Sequence, residues 1–366
     1  MAKPLKSALT AAFIVFAVVA TGGLLAPATF AGMSAISMAA VTFGTTLLSS
    51  VIGGMTSKGM NATNSNFGTK FANRAPLAPR QIIYGKCRVG GTIVHIETTG
   101  TDNNILHMVI AVAGHEIEDI TQVRLNDINT TTTTSTISGS TVHTVTNSEF
   151  TNTENDNAFG SGRLVRYSFE KGDQTAVNGF MDGEAISMGT NDKFLGVAYC
   201  YIQMAFDAEN FGGGVPQVSF LVKGKNIYDP RTGANATTDL QRSNPALIIR
   251  DYLTDTTYGL KAKSSEINDT TNAGGFASAA NTCDQQVTLA DGSSTERRYT
   301  ANGFTNFSAN GNGILEGFLS SMAGKMSYVN GQFTVFAGAT QTPSLTITDD
   351  ELLQPIAVST NATAGD

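Results

Sequence analysis

The stretch "APLAPRQIIYGKCRVGGTIVHIETTG", residues 75–100, decides the fold. Its β-branched and aromatic residues predict two short strands separated by the Gly90-Gly91 pair. "GTDNN", residues 100–104, is then a turn. "ILHMVIAVAGHEIEDITQVRLND", residues 105–127, gives another strand, a tight "AGHE" turn and one more strand, so the expectation is an antiparallel meander. Val109, Ala111 and Ala113 fall on one face of its first strand, and Met108, Ile110 and Val112 on the other. Apolar residues on both faces predict a strand covered on both sides.

Upstream the chain changes character. No Asp or Glu precedes Glu97, whereas Lys3, Lys6, Lys58, Lys70, Arg74, Arg80, Lys86 and Arg88 all do. The net charge of −7 therefore hides a basic first part and a later part that holds all 30 acidic residues, and the split implies two environments. Residues 1–60 form an Ala/Gly-rich apolar head. Leu9–Phe30 and Ser34–Met55 carry no charge. Three readings fit: a secretion signal ending near Ala31, a membrane anchor, or two apolar helices packed within an assembly. Ala31, Gly32, Ala35, Ala39 and Ala40 would let such helices approach closely.

Downstream, residues 129–165 are Thr/Asn-rich with few large apolar groups, and predict an exposed insertion unable to build its own core. It divides a β domain running over 70–128 and 166–235. "GRLVRYSFEKG", "KFLGVAYCYIQMAFD" and "VPQVSFLVKGKNIYDPRTG" each read as a strand. Residues 236–345 then mix helices with strands. "SNPALIIRDYLTD" has Asn244 as N-cap, Pro245 at the first helical position and Leu247, Ile248 and Leu253 on one face. "EINDTTNAGGFASAANTCD" predicts a weaker helix. "ANGNGILEGFLSSMAGKM" predicts a good one, with Ile314, Phe318, Leu319 and Met322 together. Asn330-Gly331 predicts a type I′ hairpin. Residues 346–366 are a polar tail. The sum is α+β with β dominant. A charged fraction of only 14%, filled instead by Gly, Thr, Ser and Asn, fits short strands and many turns.

Chemistry is sparse. His95 and His107 flank one predicted turn and would face each other, but no third metal ligand stands at the right spacing. "GHEIED" opens like a zinc-protease helix, yet Asp119 occupies the second histidine's place. Asp349-Asp350, or Asp119 with Asp127, are carboxylate pairs that fit solvated turns better than acid–base work. Cys87, Cys200 and Cys283 are too far apart for a disulfide framework or zinc, and read as reduced thiols. "GGFASAANTC" lacks a phosphate-loop lysine. No basic patch with aromatics marks a nucleic-acid reader, and an acidic body repels DNA. No catalytic, cofactor or metal residue is assigned, and the chain reads as a non-enzyme.

Three blocks in order carry a resemblance. They are "RAPLAPRQIIYGKCRVGGTIVHIETTGTDNNILHMVIAVAGHEIEDITQVRLND", "GVPQVSFLVKGKNIYDPRTG" with "SNPALIIRDYLTDTTYGL", and "INDTTNAGGFASAANTCD" with "RRYTANGFTNFSANGNGILEGFLSSMAGKMSYVNGQFTVFAG". Together they resemble the hub portion of long-tailed bacteriophage tail tip attachment proteins, the lambda-type J family. The signature positions are Arg80, Tyr84, Gly85, Gly90, Gly91, His107, Gly114, His115, Gly224, Asp229, Arg231, Gly233 and Pro245.

The resemblance implies tail-tube-like antiparallel β domains in a structural virion protein assembled in the host cytoplasm. It implies a homotrimer at the tail tip, contacting a distal tail protein and the tape-measure protein, closing the tube and opening for genome ejection. DNA would be met only in transit. Relatives continue into receptor-binding regions, whereas this sequence ends at "STNATAGD". A separate fibre or spike, or other receptor-binding protein, is therefore expected to dock, with the Thr/Asn-rich insertion one surface for it. Residues 1–56 would sit inside the assembly and meet the host membrane after opening. The competing reading is a secreted or surface-attached bacterial β-rich protein with a signal sequence, and a third is a wall-degrading tail enzyme.

Overall fold

The computed structural model describes residue 72, residues 78–339 apart from 155–158, 185, 212–213 and 307–308, and residue 348. The head, the carboxylates at 349 and 350 and the tail apart from residue 348 lie outside the described residues. The fold is α+β and β-dominant.

The strands run β1 (Gln81–Tyr84), β2 (Lys86–Val89), β3 (Thr92–Thr99), β4 (Ile105–Ala113), β5 (Asp119–Leu125), β6 (Ile128–Asn129), β7 (Thr132–Ile137), β8 (Ser140–Val145) and β9 (Val165–Glu170). After helix α1 (Gly179–Asp182) come β10 (Ala198–Ala205), β11 (Val218–Lys223), β12 (Tyr228–Asp229) and β13 (Ala234–Asn235). Helices α2 (Asp239–Arg242), α3 (Pro245–Thr254) and α4 (Phe276–Asp284) follow, then β14 (Gln286–Thr288), β15 (Thr295–Arg297) and β16 (Gly303–Asn306). Helix α5 (Gly311–Ser321) and the hairpin of β17 (Lys325–Val329) and β18 (Gln332–Phe336) complete the described chain.

Two antiparallel sheets make a sandwich. One has six strands in the order β3-β4-β10-β9-β8-β7, the other four in the order β2-β11-β5-β6. Their facing side chains form one core: Leu106, Ile110, Cys200 and Ile202 from the first sheet meet Val89, Val123, Phe220 and Val222 from the second. This is sheet-on-sheet burial with period-2 alternation. β4 and β10 are covered on both faces. Val109, Tyr199 and Tyr201 point away from the sandwich and pack with Phe180 and Met181 of α1, in the connection between β9 and β10. The expected two-sided burial of β4 holds, with Ala111 only half-buried.

A second core lies around the helices. Leu247, Ile248, Ile249 and Leu253 of α3 pack on Phe276 and Ala280 of α4, with Leu315, Met322 and Val335. Asn244 caps α3 as its sequence position predicts, accepting from the Ala246 and Leu247 backbone N–H at 3.1 and 3.4 Å. Asn330 and Gly331 both take positive φ, 52° and 79°, as a type I′ turn requires.

Several expectations are corrected. The opening stretch holds three strands rather than two, because Gly85 takes φ 64° and breaks the run between β1 and β2. β4 and β5 are not a meander. Both edges of β4 are already taken by β3 and β10, so the "AGHE" turn carries the chain from one sheet to the other. The Thr/Asn-rich segment has no core of its own, as expected, and its strands β7 and β8 extend the six-stranded sheet through β9. Of its apolar residues, Val142, Val145, Phe150, Leu164 and Val165 are buried in the shared cores, and Ile137 and Phe159 pack half-buried against them. The weaker helix starts only at Phe276. A Cβ on Gly275 would lie 1.9 Å from the Thr270 carbonyl oxygen, so the preceding loop folds tightly against that position. In α5 only Leu315 is fully buried, while Ile314, Phe318 and Leu319 rest half-covered on the core's rim.

Candidate functional site

β1 is shared by the two cores. Strand alternation sends Ile83 into the sandwich and Ile82 and Tyr84 into the helical core. One edge of β1 pairs with β16, from Gln81 opposite Asn306 to Tyr84 opposite Gly303. The other edge is met by the sandwich. Gly114 N–H donates to the Gln81 carbonyl at 3.0 Å, Lys225 N–H to Ile83 at 2.9 Å, and Gly224 N–H to Gly85 at 2.7 Å. Ile83 N–H donates to His115 Nε2 at 2.9 Å.

His115 is fixed by those contacts. Its Nδ1 lies 2.6 Å from the Glu116 carbonyl, which only accepts, so Nδ1 carries the proton and Nε2 is free to accept. Burial, helped by Lys225, lowers the ring's pKa to about 4 against the opposing pull of that carbonyl and Asp255. The ring is therefore neutral at pH 7.

Beside it runs a charged chain. The Tyr84 hydroxyl donates to Asp251 Oδ2 at 2.8 Å. Lys225 Nζ reaches both Asp251 oxygens, at 3.0 and 2.8 Å, and Asp255 at 2.5 Å. Burial pushes the Asp251 carboxyl up, and Lys225 and Tyr84 pull against it. Asp255 also accepts from the Thr257 and Tyr258 backbone N–H, at 2.7 and 2.6 Å. The Tyr258 hydroxyl donates to the Gly114 carbonyl, and its ring stands edge-on to His115. A polar cleft of about 460 Å³ opens here between the two cores, lined by His115, Glu118, Lys225 and Arg242 among others. Its cations are already engaged: Arg242 pairs with Glu118 and Asp239, both at 2.9 Å.

Of the thirteen signature positions, Arg80, Tyr84, Gly85, Gly114, His115 and Gly224 converge on β1. The Arg80 stem lies over Gly114, where a Cβ would come within 2.7 Å of it. Asp229, Arg231 and Gly233 form a separate clamp. Arg231 bonds Asp229 at 2.7 Å and reaches Asp284 on α4, also at 2.7 Å. Asp284 in turn accepts from Asn244 at 2.8 Å, beside Pro245 at the start of α3. Gly90 and Gly91 are buried between β2 and β3. Gly91 has φ 75°, and a Cβ there would sit 2.7 Å from the Ala111 carbonyl oxygen.

His107 belongs to a third cluster. It does not face His95: Glu97 lies opposite His107, and Val109 opposite His95. The connection over 100–104 sets that register by placing Thr99 opposite Ile105, and the bulge between Ile93 and His95 lies farther from the turn. His107 is wholly buried, 2.6 Å from the Thr99 hydroxyl and 2.7 Å from that of Tyr201. Burial lowers its pKa to about 4. Gln203, Arg166 and Glu184 extend this network, with Arg166 and Glu184 at 3.0 Å. It fastens the β9–β10 connection to the sheet, together with the Ser187 N–H and hydroxyl donating to Glu97 at 2.8 and 2.7 Å.

Sequence reading missed Lys225, Asp251, Asp255 and Tyr258. A signal was present: Asp251 and Asp255 stand four apart on a helical pattern, hence on one face. Their partner Lys225, 26 positions before Asp251, was invisible without the fold. Asp119 and Asp127 occupy opposite ends of the β5 region, and Asp127 pairs with Arg88. Burial raises the Cys87 and Cys283 thiols to about 12 and Cys200 well above its usual value, so none is a ready nucleophile. Among the described residues no group of three His, Cys, Asp or Glu could hold a metal ion. No described helix is long and apolar enough to cross a membrane. The chemistry of these clusters is mutual fastening of the sandwich, the helical unit and their connections.

No family model matches the chain, and no curated protein matches it. Among solved structures, a chain from the virion of a native gene transfer agent particle is similar at 15% identity and a TM-score of 0.32. The match covers 58% of this chain and 43% of that one, so this chain spans less than half its length. A likeness of that size does not establish a shared fold.

Proposed function

We propose that the chain is a structural protein of a phage or phage-like virion, acting as a tail hub at the distal end of the tail tube. The observation that carries the reading is the convergence at β1. The three sequence blocks resembling tail tip proteins are far apart in the chain. β1 and His115 come from the first, Gly224, Lys225 and Asp251 from the second, and β16 from the third. Six of the thirteen signature positions thus serve one mechanical task, holding two cores in fixed relation.

In this reading the protein works by shape and rigidity, without catalysis. It assembles in the host cytoplasm as a homotrimer against a distal tail protein and the tape-measure protein. It carries a separate fibre, spike or receptor-binding protein. Its acidic body lets DNA pass without adhering, because like charges do not gather the phosphate backbone. The apolar residues 1–56 pack within the assembly and contact the host membrane after opening.

The test is immunogold labelling of purified particles with antibodies against the described body. Gold at the tail tip, with tip-less particles after gene disruption, supports the reading. Absence from particles, or an N-terminus cleaved near Ala31 on secreted protein, overturns it in favour of a secreted β-rich protein. Clearing of a cell-wall zymogram by the purified chain would instead make it a tail enzyme.

A further inference from the structure

The two edges of the six-stranded sheet differ. β3 is irregular, with its bulge near Val94, and carries Glu97, which is tied to Ser187. Bulges and charges are what protect sheet edges from unwanted pairing. β7 has neither. It pairs with β8 residue by residue, from Thr132 opposite Val145 to Ile137 opposite Ser140. From Ile128 to Ser148 there is no Asp, Glu, Lys, Arg or Pro. Thr133, Thr134, Ser135 and Thr136 are all exposed, so no other described element covers either face of the strand there.

The orientation of its backbone follows. Thr146 N–H donates to the Thr131 carbonyl at 2.8 Å. Ser138 and Gly139 both have positive φ, 48° and 83°, as a two-residue hairpin turn requires. In an antiparallel pair every second residue bonds inward. Thr131, Thr133, Ser135 and Ile137 therefore face β8, and Thr132, Thr134 and Thr136 turn their N–H and C=O groups outward.

We propose that this edge pairs antiparallel with β7 of a second copy of the chain, across a two-fold axis at Thr134. The strand suits its own reversal. Thr132 falls opposite Thr136 of the second copy, Thr134 opposite Thr134, and Thr133 beside Ser135. No like charges meet, and β-branched side chains favour the pairing. Six interchain backbone hydrogen bonds result, from three N–H and three C=O groups on each copy. One strand pair buries less than the roughly 1,200 Å² of a stable interface, so the dimer is weak and concentration-dependent. The contact is independent of the hub reading, whose three-fold assembly does not use this axis.

The experiment uses the purified full-length chain with Cys87→Ser, which leaves only the buried Cys200 and Cys283 thiols. Thr134→Cys and Thr133→Cys are oxidised under mild conditions. Directly bonded residues in such a pair have Cα atoms about 5.5 Å apart, within disulfide reach. Thr134→Cys is expected to give a disulfide-linked dimer at least ten-fold faster than Thr133→Cys, which does not face itself. In sedimentation velocity, Thr134→Pro is expected to weaken self-association at least ten-fold with an unchanged far-ultraviolet spectrum, because its lost N–H points outward. If that variant misfolds, Thr134→Lys makes the same test. Equal crosslinking at both positions, or no self-association of the parent chain, overturns the proposal. A trimer insensitive to Thr134→Pro and Thr134→Lys also overturns it, while leaving the hub reading intact.

Discussion

The Tyr84 hydroxyl and the Asp251 carboxylate are 167 positions apart in sequence and 2.8 Å apart in space. One belongs to the strand that enters both cores, the other to helix α3. Their bond, with Lys225 beneath it, fastens the helical unit to the sandwich.

Tyr84→Phe removes that hydroxyl and leaves the ring, which packs edge-on against Phe318 at 5.6 Å. A hydrogen bond to a charged group is worth about 1.5–3 kcal/mol. Denaturant titration is expected to show a loss of that size. Proteolysis is expected to open the helical unit before the sandwich.

Gly224 and Gly233 separate two effects of adding a methyl group. At Gly224 a Cβ would lie 2.3 Å from the Ile83 carbonyl oxygen, so Gly224→Ala must push β1 away. At Gly233 there is open space but φ is 71°. Gly233→Ala is expected to cost about 1–2 kcal/mol from backbone strain alone. Gly224→Ala is expected to cost more and to disturb both cores, read as a larger drop in denaturation midpoint.

Asn244→Ala removes a helix cap and two tethers. Its side chain accepts from α3 and donates to the Ala280 carbonyl at 3.0 Å and to Asp284 at 2.8 Å. The cap alone is worth about 1 kcal/mol. Losing the two tethers adds about 0.5–1.5 kcal/mol for each bond. Thermal unfolding is expected to fall accordingly, with Asn244→Asp keeping the cap and losing the tethers.

Acid is expected to destabilise the fold through His107 and His115. Both are held neutral, with pKa values lowered to about 4 against an ordinary 6.5. The unfolded chain therefore binds more protons between those values. Stability contributed by the neutral rings is complete above pH 6.5 and falls as pH drops towards 4. The loss is on the order of 3 kcal/mol per ring, because each tenfold weakening of proton affinity on folding corresponds to about 1.36 kcal/mol. Denaturant titrations from pH 7 to pH 4 would measure it, and His115→Gln is expected to flatten the slope by one ring's share.

The sequence by itself determined the β-dominant class, the two-sided burial of β4, the Asn244 cap and the Asn330-Gly331 turn. Each depends on neighbours within a few residues, where periodicity and turn chemistry act directly. It also made Gly91, Gly114 and Gly224 conspicuous without saying what they approached. Only the tertiary structure decided which strands pair. Whether β4 turns back on β5 or passes it to the other sheet depends on edges already taken by β3 and β10, and those contacts span long stretches of chain. The same holds for the junction. Lys225, Asp251 and Asp255 look like ordinary surface charges in sequence. They become a buried fastening because β1 brings two cores together, and burial then makes their mutual pairing obligatory.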